Sequence, residues 1–206
     1  MGSPLDLRVW RIELDTLPDE HLPPPTPEEA ERAARFAVPD LRRRYLNAHR
    51  AMRAILRRTI GGEPRIVAGE NGKPWLPDAP QWQFNLSHSR GLALLAVARG
   101  VEVGVDVEYI RAHLDWEAIA ERFFPPAAAA EFFRAPEADR DREFFRQWTR
   151  LEATWKALGV GLYGADRELE GPWTVTELDL GSGIAGAAAA RAESVRVELR
   201  DFEPHR

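Results

Sequence analysis

The sequence predicts an α+β protein of two similarly ordered halves, each a small, mainly antiparallel sheet packed with helices. Three observations carry this. The order strand, helices, strands occurs once before residue 102 and again after it. Stretches such as "WQFNLSHSRGLALLAVARG" read as strand, polar turn and strand, which makes a hairpin. Stretches such as "EFFRQWTRLEATWKALG" repeat apolar residues with the helical period. No sequence identity accompanies the duplication, so a division into residues 1–102 and 103–206 rests on element order.

In chain order, "LRVWRIEL" at 7–14 is the first strand. "HLPPPTPEEAERAARF" is a Pro-rich connection into a helix, with Thr26 as N-cap and Pro27 in the first turn; Glu28 and Glu29 suit the positive end of the helix dipole. A longer helix is expected from about Asp40 to Ile60, stopped by Gly61-Gly62. On its wheel Leu41, Tyr45, Ala48, Met52 and Ile55 line an apolar stripe. Arg42, Arg50, Arg53 and Arg57 gather on an opposite shoulder, either a solvated face or a landing strip for phosphates. "NGKPWLP" is turn chemistry, followed by the hairpin and the strand "VEVGVDVEYI" at 101–110. Helices are expected at about 115–122, 127–134 and 139–158, with Pro125-Pro126 parting the first two and Gly159 capping the last. "PWTVTELDL" and "SVRVELRDF" close the chain as strands. The first half ends in the apolar strand "GLALLAVA", and no equivalent follows "VELRDFEPHR", so the second half is expected to lack its final strand.

The 206 residues, 44% hydrophobic and 30% charged, suffice for one sizeable domain or two smaller halves with buried cores. Without cysteine, disulfides, thiolate zinc sites and a cysteine nucleophile are excluded. "MGSPLDLRVWRIELD" lacks the basic and apolar regions of a signal peptide, and the small apolar run "GIAGAAAA" is far too short to cross a bilayer. A soluble cytoplasmic protein is the expectation. A net charge of −5 argues against nonspecific nucleic-acid binding. The cations comprise two lysines, Lys73 and Lys156, against twenty-six arginines. In so Arg-biased a chain, the remaining lysines point to places that need a compact ammonium on a flexible stem.

In "VEVGVDVEYI" side chains alternate between faces, so Val101, Val103, Val105, Val107 and Tyr109 share one and Glu102, Asp106 and Glu108 the other. Acids in that pattern either face water on a half-exposed sheet or hold something cationic. On the helix ending at Gly159, Phe144, Trp148, Leu151, Trp155 and Leu158 form the core stripe, and Glu152 and Lys156 sit four apart on its shoulder. That spacing suits an ordinary i,i+4 ion pair, yet a surface pair would accept arginine, which favours a specific contact for Lys156. Lys73 lies in "GKP", a turn suited to a cleft rim, and His88 in "NLSHS" at a strand end. Ser87 and His88 are too close in sequence to act as nucleophile and base, and no third triad member stands out.

"GKPWLP", "FNLSHS", "VGVDVEYI" and "FFRQWTRLEATWKALGVGL" resemble, in order and separation, the signature segments of the 4′-phosphopantetheinyl transferases, the Sfp-type two-halved group. The resemblance spans about residues 40–163, with weaker agreement beyond it and with "AHR" at 48–50 included. It implies a chain of two pseudo-twofold-related halves that moves phosphopantetheine from coenzyme A to a serine of an apo acyl or peptidyl carrier protein, releasing adenosine 3′,5′-bisphosphate. The family's metal carboxylates match Asp106, Glu108 and Glu152, which would hold Mg²⁺, or Mn²⁺ in its place. Two acids at i and i+2 on a strand and a third from a packed helix suit hard oxygen coordination shared with substrate phosphates.

Glu152 would take the serine proton, directly or by way of a water, and Lys156 would neutralise phosphate oxygens. Lys73, Ser87, His88 and Arg50 match family positions that contact coenzyme A, and Arg53 is added from the wheel alone. "ERFFPPAAAAEFF" matches the region that meets the acidic carrier protein, with Phe123 and Phe124 as docking or core residues. Coenzyme A is assigned to residues 1–102, the metal carboxylates and catalytic helix to 103–206, and a monomer is expected because one chain supplies both cleft walls.

One departure concerns the helix: the family commonly has lysine directly before its glutamate, and Leu151 stands there. Weaker coenzyme A binding or a compensating arginine follows. Two rival functions stay open, a catalytically weakened coenzyme A-binding or regulatory protein of the same fold, and a phosphohydrolase using the same carboxylates.

Overall fold

The computed structural model describes residues 4–69, 71–112, 115–160 and 171–204. Strand β1 (Leu5–Glu13) leads through a short 3₁₀ turn to helices α1 (Pro27–Ala34) and α2 (Pro39–Ile60). Strands β2 (Val67–Ala68), β3 (Pro74–Trp75), β4 (Trp82–Ser89), β5 (Leu92–Arg99) and β6 (Val103–Tyr109) follow. Helices α3 (Trp116–Phe123), α4 (Pro126–Arg134) and α5 (Arg140–Leu158) precede strands β7 (Thr174–Glu177), β8 (Ile184–Ala190) and β9 (Val195–Asp201). The larger sheets run β4-β5-β1-β9 and β6-β8-β7, and β2-β3 is a small hairpin. All these pairs are antiparallel except β1 with β9. The predicted α+β class, small mainly antiparallel sheets packed with helices, is the observed one.

Alternation along the strands stacks four layers. On one face of the first sheet Trp10, Ile12, Leu14, Phe84, Leu95 and Val97 pack against Ala48, Met52, Ile55 and Leu56 of α2. On its other face Leu7, Val9, Leu92, Leu94 and Ala96 meet Val103, Val105, Val107, Ala188 and Ala190 of the second sheet. The far side of the second sheet is closed by α5, where Ala153 and Ala157 lie on Ala187 and Ala189. An aromatic cluster of Trp116, Phe124, Phe132, Phe144 and Phe145 ties α3 and α4 to α5.

Local signals placed the helix ends well. Thr26 caps α1 in a capping box with Glu29, and Gly61 and Gly159 end α2 and α5 in the left-handed conformation, with φ of 77° and 69°. The wheel of α2 needs correcting: Leu41 is exposed, while Arg50 and Arg53 are buried. The cause lies outside the helix, because the Pro-rich connection and α1 fold over that shoulder and offer it carbonyls and carboxylates.

Sequence reasoning passed over one strand, which lies before the last one rather than after it. The apolar strand of the second sheet is β8, Ile184–Ala190, its central strand. Alanine and glycine are weak strand formers, so the run has no β-propensity to announce it; burial between β6, β7 and α5 decides its conformation. β9 does not extend this sheet but pairs in parallel with β1 of the other. No helix among the described residues is long and apolar enough to cross a membrane.

Candidate functional site

β6 is an edge strand of the second sheet and β4 an edge strand of the first. Side chains lace these edges together at alternate positions of β4. Asn85 Oδ1 accepts from the Val105 backbone N–H at 2.9 Å, Ser87 Oγ donates to Asp106 Oδ1 at 2.8 Å, and Ser89 Oγ donates to Glu108 Oε2 at 2.8 Å. The acidic face of β6 does not look into water, since α5 lies across it. Gly104, on that face, makes the approach possible: a Cβ there would fall within contact distance of Ala153 O and Ala157 N and 3.0 Å from Ala157 Cα.

That approach brings α5 to Asp106, which is 3% exposed. Lys156 Nζ donates to Asp106 Oδ1 at 2.5 Å and to Ser87 Oγ at 2.9 Å. Lys156 therefore passes over Glu152, one turn away, to pair with Asp106 of β6 and to reach Ser87 of β4 across the seam. Asp106 Oδ2 is buried without a hydrogen-bond partner. Burial raises the pKa of Glu108, opposed by the Ser89 hydrogen bond and reinforced by the charge of Asp106. Burial likewise raises Glu152, opposed by Lys156 and reinforced by Asp106 and Glu108. Glu108 and Glu152 thus both feel the charge of Asp106.

Whether this set suits a metal has a chemical and a geometric answer. Chemically it fits a hard divalent cation: oxygen donors, a buried oxygen without a partner, and repulsion that a cation would relieve. Geometrically, among the described residues no group of three or more His, Cys, Asp or Glu is gathered as a metal cluster. Asp106 is drawn to Lys156 and Ser87, and Glu108 to Ser89.

The other sequence candidates divide. His88 lies exposed beside Ser87 on β4; surrounding protein and then the charges of His49 and Lys156 hold its pKa below the ordinary imidazole value. Lys73 turns inward, donating to Ala157 O at 2.5 Å and Val103 O at 3.2 Å. Arg50 donates to Pro23 O at 2.6 Å, to Leu22 O at 3.2 Å and to the carboxylate of Asp19, and Arg53 grips Glu29 at 2.9 and 3.0 Å. Phe124 is core, and Phe123 is half-buried with edge contacts to Trp148 and Trp155. Leu151 joins the aromatic cluster, while Arg150 pairs with Glu177 at 3.1 Å.

Sequence reasoning missed Asn85 and Ser89, which hold β6 in place. The signal was available: on a strand Asn85, Ser87 and Ser89 share a face, so Ser87 implicates both neighbours. The end of the last signature segment, from residue 161, lies outside the described residues.

A family model of the 4′-phosphopantetheinyl transferase superfamily matches residues 102–197. The 4′-phosphopantetheinyl transferase HetI of Nostoc sp. is 37% identical over 182 residues, covering 84% of this chain and 76% of that protein. The chain belongs to the 4′-phosphopantetheinyl transferase family. Other family members agree over shorter spans. The 4′-phosphopantetheinyl transferase AcpT of Escherichia coli is 36% identical over 153 residues, 74% of this chain and 73% of its own length. The transferase Sfp of Bacillus subtilis is 28% identical over 140 residues, 66% of this chain and 61% of its own. The matched span 102–197 contains the acids of β6 and both Glu152 and Lys156 of α5.

Proposed function

We propose that this family member transfers the 4′-phosphopantetheine group of coenzyme A to a serine of an apo acyl or peptidyl carrier protein, releasing adenosine 3′,5′-bisphosphate. The observation that carries it is the contact of Lys156 with Asp106 and Ser87 at the seam of two sheets, near enough to Glu108 and Glu152 for the Asp106 charge to act on both, with one Asp106 oxygen buried and unpartnered. In this reading residues 1–102 form the coenzyme A side and 103–206 carry the carboxylates and catalytic helix, acting as a cytoplasmic monomer.

Asp106, Glu108 and Glu152 would hold Mg²⁺. When bound, the ion supplies positive charge to the pyrophosphate as its anhydride bond breaks. The remaining work belongs to the chain. Lys156 neutralises phosphate oxygens, exchanging its contact with Asp106 for the substrate. Ser87 and His88 would contact the donor from the end of β4. The carrier serine Oγ forms a bond to the β-phosphorus, the bond from that phosphorus to the bridging oxygen breaks, and the bisphosphate leaves with the electron pair. Glu152 takes the serine proton, directly or by way of a water. Arg50 and Arg53 are engaged with Asp19 and Glu29, which ties α2 to the connection and helix before it.

Incubation with apo carrier protein, coenzyme A and Mg²⁺, followed by intact-mass measurement, tests this. The carrier should gain one phosphopantetheine group, and Asp106→Ala should lose on the order of 10²-fold or more in rate. Undiminished turnover in Asp106→Ala would remove the metal assignment. Leu151 in the family's lysine position favours one other reading, a coenzyme A-binding regulator of the same fold, for which the carrier mass stays unchanged although coenzyme A binds. Free phosphopantetheine released without carrier would instead mark a phosphohydrolase.

A further inference from the structure

Lys73 is one of two lysines among twenty-eight cationic Lys and Arg residues, and its ammonium does not face the seam. It rises from the β2–β3 hairpin, whose turn is fixed by Gly69 N–H to Lys73 O at 2.9 Å and by Gly72 at φ 78°. The stem runs under the end of α5, where a Cβ on Gly159 would lie 3.2 Å from Lys73 Cβ and 3.4 Å from Cδ. The ammonium then reaches Ala157 O and Val103 O. The last carbonyls of a helix lack intrahelical partners and carry its negative end, so a cation there satisfies both needs. A planar guanidinium is a poor substitute in a slot that admits one ammonium between two backbone carbonyls.

Those two carbonyls belong to informative neighbours. Ala157 directly follows Lys156, and Val103 lies three residues before Asp106 on β6. Between them Gly104 sits against the same helix turn. We propose that Lys73 is a positioning residue for the transferase reaction, its ammonium locking the last turn of α5 to the start of β6 so that Lys156 stands at Asp106. It reaches coenzyme A only through that pair. This rests on the function proposed above and changes the part Lys73 plays in it. Burial that holds its pKa near 8 accords with an inward ammonium.

The chain's two lysines make the test direct. Lysine labelled with ¹³C and ¹⁵N gives two side-chain signals in the intact protein, assigned by Lys73→Met, and coenzyme A is then titrated in. The lock requires the Lys156 signal to move while Lys73 keeps its shift and its titration midpoint. If Lys73 moves as far as Lys156, it touches the donor and the lock is wrong. If neither moves, coenzyme A does not bind, and the transferase reading falls and takes the proposal with it. In carrier modification, Lys73→Met should lower kcat by about tenfold or more with KM for coenzyme A within about twofold. The opposite split would overturn the proposal. Should that variant fail to fold, Lys73→Arg assigns the two signals and the titration decides alone.

Discussion

Gly104→Ala tests whether the close approach of α5 to β6 builds the site. An added Cβ would lie 3.0 Å from Ala157 Cα and nearer still to Ala153 O and Ala157 N. Carbon atoms settle at about 3.5–4.0 Å, so α5 must lift by about 1 Å. Every obstructing atom is helix backbone, and no rotamer change can absorb the clash. Lys156 Nζ, now 2.5 Å from Asp106 Oδ1, would be carried to the limit of hydrogen-bond range. Overpacking of this kind costs about 1–3 kcal/mol, and a misplacement of about 1 Å at a reacting site can cost about 10²-fold in rate. Urea unfolding should report a loss near ~2 kcal/mol, and carrier modification should fall by about tenfold to about 10²-fold, mostly in kcat. Gly62→Ala is the control, since nothing lies within 4 Å of a Cβ there. Wild-type stability and turnover in Gly104→Ala would refute the link between this contact and the site.

The carboxylates give a pH prediction with a definite sign. Glu108 and Glu152 are raised above the ordinary 4.5, so just above that value the folded chain holds protons the unfolded chain has released. Without divalent cation, stability should therefore fall as pH rises through that window; saturating Mg²⁺ should flatten the fall, and urea melts at stepped pH showing a rise instead would contradict the assignment. Lys73 runs the other way: between about 8 and 10.5 the unfolded chain keeps a proton that folded Lys73 has lost. Wild-type stability relative to Lys73→Met should climb across that window by up to ~3 kcal/mol, and parallel curves would mean its ammonium is not desolvated. Breaking the buried Arg53–Glu29 pair by Arg53→Met should cost ~3 kcal/mol, with Arg53→Met/Glu29→Gln regaining part of it. An unchanged melt coupled to weaker coenzyme A binding would put Arg53 on the ligand instead.

What could be read from the sequence depended on whether the deciding interaction was local. The ends of α1, α2 and α5 are set by Thr26, Gly61 and Gly159, residues whose own backbone and side chains do the capping, and all three were legible. The pairing of Asp106 with Glu108 followed from strand alternation. Local reasoning failed where a distant segment chose the outcome. Arg50 and Arg53 look solvated on a wheel because the wheel contains neither Asp19 nor Glu29. β8 is seven residues of alanine, glycine and isoleucine whose strand conformation comes from its partners on both sides. The contact of Lys156 with Asp106 spans fifty positions and needs Gly104 to allow it, so sequence could mark the lysine as unusual and could not name its partner.

The place of the site follows from the same geometry. Edge strands carry backbone groups that invite unwanted pairing, and β4 and β6 are both edges. Here the edges protect each other through side chains: Asn85 takes up the Val105 N–H, and Ser87 and Ser89 meet the two acids. A continuous backbone ladder would have closed the seam and fixed it. Side-chain lacing leaves hydroxyls and carboxylates that can exchange one partner for another, which a site that admits and releases a charged donor requires. The buried, unpartnered oxygen of Asp106 is the one uncompensated cost in this lacing. A cation that completes it during the reaction would remove that cost. A calorimetric titration with Mg²⁺ and coenzyme A in which Asp106→Asn binds as well as the wild type would contradict this.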